Sequence, residues 1–197
     1  MHEGWAAAQA STLAALGLPW AGGGTVPSWR RRGYAAGTAA VLGGWMAFAL
    51  PNWPSWLVAA LAAVWAAVAW VDGTEAIIPN RLVALTVALG GLGRAFGHDG
   101  LWPQAVLMGV GLFLFLGVAH LWSRGGLGMG DVKFGAALGF ALAWPTAVWT
   151  TALGLWTAAA WAGIGMWLGR RPPKRAIALG PFLVLGAVIG LTVWPRH

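Results

Sequence analysis

Two stretches of the sequence place a carboxylate at the edge of an apolar run, beside glycine or proline. Asp131 lies in GLGMGDVKFG, residues 127–136, and Asp72 lies in WVDGTEAIIPN, residues 70–80. The chain contains only five Asp and Glu in 197 residues, so these positions need an explanation. A carboxylate inside a bilayer costs about 2.5 to 3.5 kcal/mol on insertion scales, and such residues usually mark a function or a paired contact.

A pair of carboxylates has a definite chemistry. Two carboxylates that share one site cannot both ionise easily, so the pair holds one proton near neutral pH. The ionised member can take a proton from water as the water attacks a carbonyl. The protonated member can stabilise the oxyanion and protonate the leaving amine. The residues therefore suit aspartyl hydrolysis, and the simpler alternative is that each carboxylate caps a helix end.

The composition predicts an all-α, polytopic helical membrane protein, because 59% of the residues are hydrophobic and 9% are charged. The formal net charge is +7, but the twelve Lys and Arg are dispersed between apolar runs, which argues against a nucleic-acid partner. The lipid bilayer is the expected surrounding. The chain has no cysteine, and its four histidines show no metal-ligand spacing, so we expect no metal and no cofactor.

Apolar runs long enough to cross a bilayer, which takes roughly 17 to 25 residues, recur along the chain. Seven spans are predicted, and six is the alternative, because the fifth is short and abuts the sixth as a tight hairpin or one broken helix. The predicted spans are 34–51, 55–71, 79–97, 102–122, 132–145, 146–168 and 176–194. Residues 1–33 are assigned to an N-terminal segment and linker, with a short or interfacial helix over 5–20 as an open alternative. Residues 34–197 are assigned to one membrane-embedded domain.

The basic residues predict the orientation, since cytoplasmic loops collect Lys and Arg. With the first span running from inside to outside, ten of the twelve basic residues fall inside, and only Arg94 and Arg196 fall outside. The inner ones are Arg30, Arg31, Arg32, Arg81, Arg124, Lys133, Arg170, Arg171, Lys174 and Arg175. Two complete spans separate Asp72 from Asp131, and an even number of crossings returns the chain to the side it left. Both carboxylates are therefore expected at the cytoplasmic membrane face.

Glycine and proline near the two carboxylates indicate a substrate groove. Gly128 and Gly130, with Gly125 and Gly126, are expected to keep the backbone before Asp131 non-helical, so that a substrate strand can approach the carboxylate. Pro79 is expected to break the helix after Asp72, and Pro181 marks a third irregular segment at the same level. Lys133 has two interpretations, a contact to substrate or a side chain reaching the lipid headgroups.

These motifs resemble a known family. The chain resembles the bacterial type IV prepilin peptidases, which are GxGD-type intramembrane aspartyl proteases. Three motifs in the same order carry the resemblance: Asp72 with IPN (Ile78, Pro79, Asn80), GMGDVK two spans later, and LGPFLVLG at residues 179–186. The resemblance implies that Asp72 and Asp131 are the catalytic pair. It also implies substrate contacts at Gly128, Gly130, Lys133, Pro79, Asn80 and Pro181. The implied substrates are prepilins or pseudopilins, cut after a short basic leader at the cytoplasmic side of the bacterial inner membrane.

The sequence also differs from the longer members of that family, which carry a cysteine-containing domain associated with N-methylation. In this sequence a linker, residues 21–32, occupies the position of that domain, so we expect peptidase activity without methylation. Two other functions stay open at this point: a proton-coupled transporter that uses the two aspartates as a relay, and a non-catalytic membrane protein of pilus or secretion assembly.

Overall fold

A computed structural model describes residues 28–97, 100, 102–123, 126–168 and 178–193 of the chain. The described part contains seven α-helices and no strand, which confirms the predicted all-α class. The helices are α1 (Ser28–Ala49), α2 (Ser55–Glu75), α3 (Asn80–Gly97), α4 (Trp102–Trp122), α5 (Met129–Leu142), α6 (Thr146–Trp167) and α7 (Gly180–Val193). The interpretation of residues 5–20 lies outside the described residues. So do Asp99 and six of the basic residues used for orientation: Arg124, Arg170, Arg171, Lys174, Arg175 and Arg196.

The helices begin and end close to the predicted spans at most positions, with two differences at the N-terminal half. Helix α1 begins at Ser28, so residues that were assigned to the linker are helical, as arginine-rich segments readily are. Helix α2 continues past residue 71 to Glu75, which places Asp72 inside its last turn. Pro79 was expected to break this helix, but Ala76 ends it in the left-handed conformation, with φ of 55°.

The break between the fifth and sixth predicted spans is a helix boundary. Helix α5 ends at Leu142 and α6 begins at Thr146. The N–H of Ala143 donates the last helical hydrogen bond of α5, to the carbonyl of Gly139. Ala143 itself has a φ of 50°, which ends the helix. The structure therefore has two helical segments at this place, and whether they count as one span or two stays a prediction.

Two described helical segments are long and apolar enough to cross a membrane, Ser55–Gly73 within α2 and the whole of α4. Helix α7 is apolar but shorter. Large apolar side chains cover the outward surface of α4, as a lipid-facing helix requires: Leu107, Phe113, Leu114, Phe115, Val118 and Leu121. The total of six or seven spans stays a prediction.

Helices α3 and α7 position the two elements that carry the aspartates. Each of them packs against both α2 and α5, and α7 also packs along α6 over most of its length. Glycines permit this close approach, because a methyl group added at Gly90 of α3 would lie 2.8 Å from Cβ of Ala141 on α5. The ends of α2 and α5 are therefore held together by shared neighbours.

Arg94 has a structural role besides the topology signal for which the charge pattern uses it. It is fully buried in α3, and its expected outer side of the membrane stays a prediction. Its guanidinium donates hydrogen bonds of 3.0 to 3.2 Å to the carbonyl oxygens of Phe140 and Ala141. These carbonyls belong to the last turn of α5, where the helix dipole favours a cation. Arg94 therefore fixes the far end of the helix that carries Asp131.

Candidate active site

The two aspartates lie at helix ends that meet. Asp72 is in the last turn of α2 and is 3% exposed, and Asp131 is in the first turn of α5 and is 5% exposed. Both side chains line one cavity of about 230 Å³. The structure thus brings together two carboxylates that are 59 positions apart in the sequence (131 minus 72).

The cavity lies between the segment that follows α2 and the segment that begins α5. Its walls combine two carboxylates, one ammonium group, one amide and several apolar or backbone surfaces. The lining residues are Asp72, Ala76, Ile77, Ile78, Asn80, Gly128, Met129, Gly130, Asp131 and Lys133. Pockets of this kind, with a few polar groups among apolar walls, are the usual form of a small binding site.

Backbone amides hold each carboxylate on one oxygen. The N–H of Gly180, the first residue of α7, donates to Oδ2 of Asp72 at 2.7 Å. The N–H of Gly128 donates to Oδ2 of Asp131 at 3.2 Å. The other oxygen of Asp131, Oδ1, is buried and has no hydrogen-bond partner among the described residues. An unpaired buried acceptor costs about 1 to 3 kcal/mol, so its retention suggests a role in binding or chemistry.

The protonation of Asp131 follows from its surroundings. Asp131 lies just before the predicted span 132–145. Burial is the main cause that raises the pKa of its carboxyl group to about 7, and the nearby Asp72 carboxylate acts on this pKa in the same direction. The backbone amides of Gly128 and Leu179 oppose this rise, because they stabilise the charged form. At neutral pH this carboxyl group can therefore hold a proton while its neighbour is ionised.

The glycines before Asp131 act differently from the expectation. Gly128 caps α5 in an extended conformation, but α5 begins at Met129, so Gly130 is helical and the prediction of a non-helical backbone is wrong there. The structural reason for Gly130 is a close contact. A Cβ at this position would lie 3.2 Å from Cβ of Ile78 and 3.4 Å from its backbone nitrogen. Gly130 thus lets the cavity wall at residues 76–78 lie directly against the first turn of α5.

Lys133 and Asn80 are paired across the cavity. Nζ of Lys133 donates to Oδ1 of Asn80 at 3.2 Å. Asn80 is the first residue of α3, and its side chain is exposed, whereas Lys133 is half-buried. An ammonium group has three donors, so this pair leaves donors that can bind a carbonyl or carboxylate in the cavity.

The two prolines of the predicted site lie beside the cavity rather than in its lining. Pro79 is half-buried between Ile78 and Asn80, and its carbonyl accepts hydrogen bonds from the N–H groups of Leu82 and Val83 in the first turn of α3. Pro181 is buried in the first turn of α7, so the prediction of an irregular segment at this proline is wrong. Proline is well suited to the first turn of a helix, where its missing N–H has no intrahelical partner in any case.

Sequence reasoning missed the residues that hold this site in place. It selected Pro181, whereas Gly180 supplies the hydrogen bond to Asp72. It assigned no role to His120 or Ser123. The structure shows them holding the turn before α5: Nδ1–H of His120 donates to the carbonyl of Leu127 at 2.6 Å, and Oγ of Ser123 accepts from the Leu127 N–H at 3.0 Å.

The fold and the cavity together define a class of protein. In the described residues it is all-helical, with membrane-length apolar helices and two buried carboxylates in one cavity at the ends of two of these helices. The chain belongs to the type IV leader peptidase family, whose family model matches residues 57–194 and so covers both aspartates. Comparison with curated proteins and with solved structures gives no significant match.

Proposed function

We propose that this protein is a membrane-embedded aspartyl endopeptidase that removes the basic leader of prepilins or pseudopilins, with Asp72 and Asp131 as the catalytic pair. Family membership supports a leader peptidase-like function and prepilin substrates in general. One observation carries the assignment of the residues: two carboxylates from different helices, both at least 95% buried, line the same cavity. Together with the family match, this arrangement favours an enzyme over a proton relay or an inactive assembly protein.

The proposed mechanism uses the pair as base and acid. The ionised carboxylate accepts a proton from a water molecule as the water oxygen bonds to the scissile carbonyl carbon. The protonated carboxyl group donates a hydrogen bond to the carbonyl oxygen, which becomes an oxyanion. When the C–N bond breaks, a proton passes to the leaving amine. The products are a leader with a new carboxylate and a mature chain with a new amino terminus.

The cavity offers a place for an extended substrate segment. Ile77 is 63% exposed and the segment 77–79 is neither helical nor in a strand, so its backbone can pair with a substrate in extended conformation. Asn80 and Lys133 stand at one side of this segment as polar contacts. A substrate bound there lies next to both carboxylates, as cleavage requires.

The pH dependence of cleavage is the first expected result. Activity should fall as the pH rises through about 7, because Asp131 loses the proton that the acid role requires. It should also fall at low pH, because the base then becomes protonated. The measurement is kcat/KM of purified enzyme against a pure prepilin over a pH series. An activity that stays level through pH 7 and well above it would contradict the acid role of Asp131.

The membrane orientation is the second expected result. The charge distribution predicts that reporters fused after Arg124 and after Arg175 report a cytoplasmic position, and that a reporter fused at Gly100 reports an external one. Matched alkaline phosphatase and fluorescent protein fusions at the same three residues would measure both signals. An external signal after Arg124 would separate the cavity from the basic leader and would contradict the proposed site of cleavage.

The function itself is tested by co-expression. The protein is produced in a host without its own leader peptidase, together with candidate prepilins from the same genome. Loss of the leader is then read as a mobility shift and as the mass of the new amino terminus. The expected result is cleavage of at least one candidate with a basic leader. Absence of cleavage for every candidate, with the protein inserted in the membrane, would count against the proposal.

A further inference from the structure

The start of α7 lies against both aspartates, although it contributes no ionisable side chain. Gly180 donates its backbone N–H to Oδ2 of Asp72 over 2.7 Å, and this hydrogen bond is buried. The amide of the preceding residue, Leu179, stabilises the charged form of Asp131. Adjacent amides of one short segment thus face the two carboxylates, which are carried by helices that approach from different parts of the chain.

Two features of this contact favour a negative charge on Asp72. The hydrogen bond is short, and bonds of this length are typical when the acceptor is ionised. The donor belongs to the first turn of a helix, where the positive end of the helix dipole stabilises an anion. The described residues of α7 also contain no titratable side chain that could replace the amide as a partner.

Asp131 has a contrasting environment. Its hydrogen bond from Gly128 is longer, at 3.2 Å, and its Oδ1 is buried without a partner among the described residues. A protonated carboxyl group can use that oxygen as a donor to a substrate carbonyl, whereas a second buried anion beside Asp72 would be repelled. The Leu179 amide also stabilises the charged form of Asp131. The asymmetry between the two carboxylates therefore lies in the shorter hydrogen bond to Asp72 and in the unpaired Oδ1 of Asp131.

The space at Gly180 is restricted to hydrogen. A methyl group added there would lie 2.7 Å from Oδ2 of Asp72 and 3.0 Å from its Cβ. Any side chain at residue 180 would push the Asp72 carboxylate out of its position. Glycine is therefore needed at this position because the carboxylate lies directly against its Cα.

From these contacts we infer that Gly180 is a positioning residue: its backbone amide holds Asp72 as the ionised base of the pair and leaves Asp131 as the protonated acid. The inference rests on the proposed peptidase function and adds the assignment of roles within it. The other charged groups that line the cavity with Asp72 are Asp131 and Lys133 of α5. On the helices that carry or adjoin the site, Glu75 of α2 and Arg81 of α3 are exposed. Because none of these belongs to α7, the amide of Gly180 can be tested separately from them.

The test is Gly180→Ala in the full-length protein, purified in detergent and assayed with a pure prepilin. We expect kcat/KM to fall by about 10- to 100-fold, since displacement of a catalytic group by about 1 Å costs on the order of 100-fold. We also expect the acidic limb of the pH profile to move up by about one pH unit. A hydrogen bond to a charged group contributes at least about that much to its ionisation.

The control separates this effect from damage to packing. Gly154 on α6 is also tightly packed, because an added methyl group would lie 3.0 Å from Cα of Leu183, one turn along α7 from Gly180. Gly154→Ala should lower the melting temperature and leave the acidic limb where it is in the wild type. Gly180→Ala meets a movable carboxylate instead of backbone, so its melting temperature should change little. The same pH shift in both variants, or a wild-type profile for Gly180→Ala, would overturn the inference.

A second measurement needs no substitution at Gly180. Hydrogen exchange at the Gly180 amide, followed by NMR, should be faster in Asp72→Ala than in the wild type, because the acceptor is removed. Equal exchange rates would also overturn the inference. Failure of the proposed function is distinguishable: an active Asp72→Asn variant would remove the peptidase mechanism, whereas an inactive Asp72→Asn beside a normal Gly180→Ala would remove only the role of Gly180.

Discussion

Cleavage is expected to fall by about a thousandfold or more when either Asp72 or Asp131 is replaced by asparagine, because the pair acts as a unit. Asparagine has nearly the same shape, but it can neither accept the proton of the attacking water nor hold the shared proton of the pair. The measurement is leader removal in membranes that contain equal amounts of each variant.

Loss of activity in these variants has to be separated from loss of the fold. Each substitution removes a buried carboxylate beside another one, so the melting temperature should not fall. In Asp72→Asn, the amide oxygen of the new side chain could still accept the hydrogen bond from Gly180. The matched control is Asp99→Asn, the same replacement in the turn that the charge pattern places at the opposite membrane face, and it should retain wild-type activity. Lower activity together with a lower melting temperature would indicate that the aspartates stabilise the fold and would contradict a catalytic role.

The second large effect is expected at Gly130. A valine there would place two methyl groups beyond a Cβ that already lies 3.2 Å from Ile78, so the wall at residues 76–78 has to move away from α5. A shift of about 1 Å in that wall should lower kcat/KM by roughly 100-fold. The variant should still insert, because the displaced segment is a loop at the end of two helices. The measurement is kcat/KM of the purified variant with a pure prepilin.

Gly111→Val is the matched control for Gly130→Val. Gly111 lies in the middle of α4, and an added Cβ would meet no atom within 4 Å. The same glycine-to-valine change in an open position should leave activity within about twofold of the wild type. A Gly130→Val variant as active as Gly111→Val would show that the wall at residues 76–78 takes no part in binding substrate.

Most helix boundaries could be predicted because charged residues, glycine and proline separate the apolar runs. The predicted bounds of α3, α4 and α6 differ from the structure by at most one residue. The prediction that Asp72 and Asp131 lie at the same membrane face needed only the number of spans between them. The proximity of the two side chains in one cavity agrees with that reasoning.

The contacts that hold the site could not be predicted in the same way. Gly180 acts through its backbone amide, which every residue except proline has, so no residue type distinguishes it. The hydrogen bonds of Arg94 could not be predicted, because its partners are carbonyl oxygens of α5, and the closeness of α5 to α3 is a property of the fold. The Lys133 to Asn80 hydrogen bond also joins two helices, and a one-dimensional pattern does not contain that pairing.

The central claim is that Asp72 and Asp131 act together in leader cleavage, and one comparison tests it most directly. Wild-type protein, Asp72→Asn, Asp131→Asn and the double variant are purified in detergent, and cleavage of one pure prepilin is measured for each. Residues that act as a unit are not additive, so both single variants should be inactive and the double variant no worse than either. Substantial cleavage by either single variant, or a stepwise loss from single to double, would contradict the account.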